Sequence, residues 1–202
     1  MTRRLSQQDW VDFGLTTLAR EGVDALKADI LARKLDVSRG SFYWHFSDLD
    51  NFHAQVIEAW RQIATEAIIA DLEQLQSPEE RLEVLLRRGL RHNNVLEVRM
   101  RAWADNKTEA AKAILDIDRR RRGYMKRMLV EAGVPEMLAG TRSQLLYWIY
   151  LGAALSRSKL SGDSLDQIIR ELKQIGLGSA PIPKLRWCRP PTLLRERGNK
   201  AK

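Results

Sequence analysis

Residues 38–45, "SRGSFYWH", place hydroxyls, a guanidinium, a bare glycine, a phenol, an indole and an imidazole side by side. That mixture suits the reading of double-stranded DNA. Arg39 can pair bidentately with guanine, Ser38 and Ser41 can donate or accept hydrogen bonds, and Trp44 can pack on a thymine methyl or a sugar. Tyr43 and His45 can donate to phosphates, which fixes register without reading sequence. Gly40 lets the backbone approach closely. Catalytic chemistry is harder to find. The chain has no Gly-rich phosphate loop, no His-Glu zinc pattern and no nucleophile elbow, and its three histidines, His45, His53 and His92, are scattered. No catalytic residue, metal ligand or cofactor is expected, and the chain reads as a non-enzyme.

The elements that must position these side chains are helices. Apolar residues recur with a period near 3.6 almost throughout, and alternating strand patterns are missing, so the fold class is all-α. A first helix opens at Ser6, with Asp9 three residues on as a near capping box, and closes at Gly22. A second covers about 27–35, and a third, capped by Ser38, reaches about Phe46. Two short helices joined by a three-residue turn form a helix-turn-helix pattern. At about 100° per residue, Leu35, Phe42 and Phe46 fall on one side of the third helix and Gly40, Ser41, Tyr43 and Trp44 on the other. The first group suits the core. On spacing alone, a short aromatic helix is more often a packing element than a recognition element.

Ser47, with Asp50 three residues on, starts a long fourth helix that stops before "SPEE" at 77–80, the clearest helix start in the chain. Helices follow over about 78–91, 94–104, 108–132, 136–158 and 164–175. From Gly176 onward Pro, Gly and basic residues lose all periodicity, which predicts an extended tail. The expected division is therefore a helix-turn-helix domain over 1–47, a larger helical domain over 48–176 and a basic tail over 177–202.

The formal net charge of +8 invites a nucleic-acid partner, but it is unevenly placed. Residues 1–50 hold 7 basic and 8 acidic side chains, whereas residues 181–202 hold 7 and 1. The single Cys188 excludes an internal disulfide and suits a reducing cytoplasm. The longest apolar run, "LLYWIYLGAAL" at 145–155, is too short to span a bilayer, so no membrane partner is expected.

The run "LARKLDVSRGSFYWHF" (31–46), preceded by "AREGVDAL" (19–26), resembles the DNA-binding region of the tetracycline-repressor (TetR) family of bacterial regulators. The resemblance covers about residues 5–60. It implies that Ser38, Arg39, Gly40, Ser41, Tyr43, Trp44 and His45 face DNA, with Lys27 near a phosphate. It also implies that the remaining helices form a body that dimerises through the helices at 136–158 and 164–175 and holds a small-molecule effector. The function so implied is a one-component transcriptional regulator, a repressor that binds a palindromic operator as a homodimer and is released by its effector. Four positions depart from the family pattern: Lys27 and Ala28 replace Thr-Val, Asp36 replaces the turn glycine, and Leu49 replaces a lysine.

Asp29, Asp36, Asp48 and Asp50 around the motif keep an alternative open, a helical interaction protein with a vestigial helix-turn-helix. Trp60, His92, Trp103 and Tyr147 are the candidate effector contacts, since such pockets are apolar with few polar anchors. "RRRR" at 119–122 reads as a solvated face, and a charge at Ile169 is expected to split the dimer.

Overall fold

A computed structural model describes residues 5–91, 94–156 and 161–178, and all regular structure among them is helical. Helix α1 (Gln7–Glu21) opens on a complete capping box: the Asp9 amide donates to Ser6 Oγ (3.1 Å), and the Ser6 amide to Asp9 Oδ2 (2.7 Å). It ends at Gly22, whose φ of 87° lies where side chains fit poorly. Helices α2 (Ala28–Lys34) and α3 (Arg39–Tyr43) follow. Asp36 makes the turn between them at φ 54°, the one positive φ outside glycine among the described residues. That left-handed shape is one that glycine adopts without cost and Asp tolerates better than most residues.

Around the motif, two helix ends differ from expectation. Regular α3 stops at Tyr43, although the Phe46 amide still reaches the Phe42 carbonyl (3.1 Å) and keeps the Phe46 ring buried. Helix α4 (Leu49–Arg61) is capped by Asp48 rather than Ser47: Asp48 Oδ1 accepts from the Asn51 amide at 2.7 Å. A carboxylate satisfies the first-turn amides more strongly than a hydroxyl and suits the positive end of the helix dipole.

Helix α4 continues through a wide π-helical turn, Gln62–Glu66, into α5 (Ala67–Leu72). Then come α6 (Pro78–Arg91), α7 (Val95–Ala104), α8 (Thr108–Glu131), α9 (Glu136–Leu155) and α10 (Gly162–Leu177). Helix α10 begins earlier than its apolar stripe because Ser161 caps it, accepting from the Ser164 amide.

Two apolar clusters hold the fold. The first joins α1, α2, α3 and α4 to Met100 and Trp103 of α7 and to Ala110, Ile114 and Ile117 of α8. The second joins α5, α6, the later half of α8, α9 and α10. At 24 residues α8 is long enough, about 36 Å, to serve both. Helices α1 and α4 approach each other at Gly14, where an added Cβ would lie 2.7 Å from Phe52 Cζ.

The apolar stripe of α10 points inward. Leu165, Ile169 and Leu172 are buried within the subunit, so a charge at Ile169, 1% exposed, would break the subunit core before it reached any partner. The outward apolar face belongs instead to α9, where Leu145, Trp148, Ile149 and Leu155 are exposed, with Ile175 of α10 also outward. No helix among the described residues is long and apolar enough to cross a membrane. Arg3, Arg4, the tail from residue 179 and Cys188 lie outside the described residues.

Candidate nucleic-acid interface and internal cavity

Helix α3 is oriented by rings. Phe42 is fully buried, edge-on to Trp10 (5.4 Å between centroids) and Phe52 (5.2 Å) and tilted against Phe46 (4.9 Å). Such contacts add to the area buried and fix the helix about its axis. Arg39, Gly40, Tyr43 and Trp44 are consequently exposed, Trp44 by 79%. Ser38, Gly40, Ser41, Trp44 and His45 line one open depression on this surface.

Two of these side chains are held by neighbours. Arg39 donates to Tyr43 Oη at 3.1 Å and lies 5.5 Å from the ring centroid, so guanidinium and phenol form one unit. His45 Nε2 meets the Leu5 carbonyl at 2.9 Å, which ties the end of the recognition segment to the start of the chain. Ser38 makes no capping hydrogen bond to α3, and Lys27 is exposed just before α2.

The acidic residues around the motif have local roles. Asp48 is a helix cap and Asp36 forms the turn. Asp29 lies 4.0 Å from Arg33, and Asp50 accepts from Lys107 Nζ at 2.8 Å, which holds its carboxyl below the usual range. Leu49 is partly buried against the first core. A lysine there would give up that packing.

A cavity of about 450 Å³ lies in the second part of the chain, among the α4–α5 helix, α6, α7, α8 and α9. Trp60 and Tyr147 line it. Trp103 does not: it is buried in the first core with His53 edge-on at 5.0 Å, because α7 turns that face toward α1 and α4. His92 lies outside the described residues.

The side chains that dominate the cavity electrostatics are ones that sequence reasoning missed. Arg121, with a side chain only 12% exposed, donates to Glu97 Oε2 (2.9 Å), Thr65 Oγ1 (2.9 Å) and the Ala64 carbonyl (3.0 Å). The π-helical turn supplies the last two groups, and such turns recur at functional sites. Glu97 is itself buried and also accepts from Arg101 at 2.8 Å. Arg101 continues to Asp118 (2.6 Å), which accepts from Tyr147 Oη (2.6 Å). Burial pushes the Tyr150 phenol up to about 12 and moves Tyr147 in the same direction.

The arginine run is therefore divided rather than solvated. Arg119 is exposed beside Asp116, Arg120 meets Glu66, Arg122 meets Gln144, and only Arg121 lines the cavity. Its only advance signal was a basic residue on an otherwise amphipathic helix. That signal did not distinguish it from its three neighbours.

Residues 12–51 match the family model described as bacterial regulatory proteins, tetR family, so the resemblance read from residues 19–46 holds. No curated protein matches the chain in sequence. Solved structures share the fold. The reduced form of NemR from E. coli is 18% identical with a TM-score of 0.70, over 86% of this chain and 99% of that one. A transcriptional regulator from Rhodococcus sp. Rha1 is also 18% identical with a TM-score of 0.70, over 88% and 100%. A Rhodococcus sp. protein described as a TetR-family transcriptional regulator is 16% identical with a TM-score of 0.66, over 85% and 98%.

Proposed function

We propose that this chain, with its TetR-type N-terminal segment, is a dimeric one-component transcriptional repressor that binds a palindromic operator and leaves it when a small molecule enters the cavity. The observation that carries the reading is the two-faced α3. Phe42 and Phe46 are fixed in the core, while Arg39, Gly40, Tyr43 and Trp44 stand exposed on the opposite face. The exposed indole stands beside a guanidinium, a phenol and a bare glycine, a set that can contact base edges and phosphates together.

In this reading Ser38, Arg39, Gly40, Ser41 and Trp44 face the bases of the major groove, while Tyr43, His45 and Lys27 meet phosphates. Two subunits joined through α9 and α10 set their recognition helices about 34–36 Å apart, one turn of DNA. The helix-turn-helix part ends near residue 47, and the body from residue 48 carries cavity and dimer face. A cytoplasmic location accords with an operator as partner. The local roles of Asp29, Asp36, Asp48 and Asp50 remove the motive for a vestigial motif.

Retardation of the DNA upstream of the protein's own gene tests the reading. The ligand-free protein is expected to shift a specific fragment at moderate salt, and no sequence-specific shift would sink the proposal. Arg39→Ala should weaken binding roughly ten- to a hundredfold and relax preference at one base pair if it reads a base. If it meets phosphate, the salt slope should fall by about 1 without a change in preference.

A further inference from the structure

We infer that the cavity ligand is an uncharged, mainly apolar molecule bearing one hydrogen-bond-accepting oxygen, of the alcohol, ketone or ester class. The inference rests on reading the cavity as the effector site. Among the described residues lining the cavity, the charged ones are Arg88, Glu97 and Arg121. Arg88 pairs with Asp71, Arg121 with Glu97, and Arg101 behind them with both Glu97 and Asp118. Three cations thus meet three carboxylates, so the lining charges cancel once the partners behind the wall, Asp71, Arg101 and Asp118, are counted.

A buried charge is tolerated only when it is paired and hydrogen-bonded. A carboxylate entering this space would compete with Glu97 for Arg121, and an ammonium would compete with Arg121 for Glu97. The first would bring a third carboxylate to Glu97 and Asp118, which share only Arg101 and Arg121, and the second would take from Arg121 its carboxylate partner. A neutral ligand leaves the pair intact.

The polar handle follows from the donors in use. A guanidinium has five N–H groups. Arg121 donates from Nε to Thr65, from one Nη to Glu97 and from the other to the Ala64 carbonyl. Each Nη keeps a further N–H, which a neutral oxygen can accept without disturbing the existing bonds. Asn94 offers a second anchor, because its amide nitrogen donates to the Gly89 carbonyl (3.0 Å). Apolar side chains such as Ile68, Leu72, Leu86 and Met125 form much of the remaining wall. A volume of about 450 Å³ suits a small molecule rather than a peptide.

Displacement of the neutral fluorescent probe N-phenyl-1-naphthylamine from the full-length protein, without DNA, tests the inference. Decan-1-ol, decanoate and decyltrimethylammonium serve as competitors at equal chain length. Decan-1-ol should displace the probe at concentrations at least about tenfold lower than either ion, and Ile68→Trp, which fills the cavity, should abolish probe binding. Glu97→Gln then provides the selective readout. With Arg121 no longer neutralised, decanoate should gain about tenfold or more while decan-1-ol changes little. A merely apolar pocket would not invert in this way.

Decanoate or the ammonium ion matching decan-1-ol on the wild-type protein would overturn the inference, as would an unchanged decanoate affinity in folded Glu97→Gln. If that variant does not fold, the wild-type competition series decides alone. Operator retardation is measured separately, so failure of ligand class and failure of the regulator reading are distinguishable.

Discussion

Trp148→Glu should convert the proposed dimer into folded monomers. Trp148 is 60% exposed in the single subunit, and a tryptophan buries at most about 250 Å², so about 150 Å² of indole remains for a partner to cover. At about 25 cal/mol per Å² that is close to 4 kcal/mol per ring, and a twofold interface buries it twice. If half of the doubled figure survives the costs of association, the loss is about 4 kcal/mol, or roughly a thousandfold in the dimer dissociation constant. Leu145, Ile149 and Leu155 extend the same face and bring further apolar area to the contact. Sedimentation equilibrium across the micromolar range measures the shift, with far-ultraviolet circular dichroism as the control for folding. The wild type should be dimeric and the variant monomeric with unchanged helicity. An unchanged dissociation constant, or a wild type already monomeric at tens of micromolar, would refute the assignment of α9 to the interface. The variant should also lose high-affinity operator binding, since one subunit offers only one recognition helix.

Gly14→Ala should destabilise the protein by about 1–3 kcal/mol in a urea titration, because its Cβ would meet Phe52 Cζ at 2.7 Å and Val56 Cγ2 at 3.0 Å; unchanged stability would mean that α1 and α4 yield there easily. Asp36→Gly should raise the melting temperature, by up to about 1 kcal/mol of stability, since glycine holds φ 54° without Cβ strain; a fall would show that the carboxylate matters more than the backbone shape. His53 predicts a pH effect. Burial lowers its pKa, Nε2 meets the Leu26 carbonyl at 3.1 Å, and the buried Nδ1 has no hydrogen-bond partner among the described residues, so the ring rests neutral with its hydrogen on Nε2. The unfolded chain, with a pKa near 6.5, takes up the proton more readily, so the contribution is complete above about pH 6.5 and is lost as pH falls through the folded-state value. His53→Gln should therefore lose less melting temperature than the wild type between about pH 7.5 and 5.5. Equal losses would refute this.

What the sequence disclosed was local. Ser6 with Asp9, Gly22, Ser77 before Pro78, and Asp36 in the turn each answer a backbone requirement within a few residues, so each was readable in place. The two faces of α3 were readable too, because one helical period assigns them. Burial that depends on distant partners was not. Arg121 lines the cavity because Glu97 stands 24 positions earlier and Thr65 56 positions earlier, and nothing in "RRRR" records either. The stripe on α10 has the same period whether it packs within the subunit or against a second one. Only the positions of Leu82, Leu129 and Leu146 in the same cluster as Leu165, Ile169 and Leu172 decide for the first. Trp103 had the size and chemistry of a pocket residue, yet α7 directs it toward the first core.

That direction of α7 bears on how an effector would act in the proposed repressor. Leu96 and Glu97 line the cavity, while Met100 and Trp103, one to two turns further along, belong to the core beneath α3. Helix α4 repeats the arrangement. Trp60 lines the cavity, and Phe52, about 12 Å back along the axis, holds the Phe42 ring at 5.2 Å. Helices transmit displacement as rigid bodies, whereas loops absorb it. A ligand that displaces Trp60 or Glu97 therefore moves the supports of both recognition helices in a dimer, and their separation changes twice over. A ligand with equal affinity for both separations changes nothing, however tightly it binds. Release from the operator thus requires a molecule that fits the cavity better once α4 and α7 have moved.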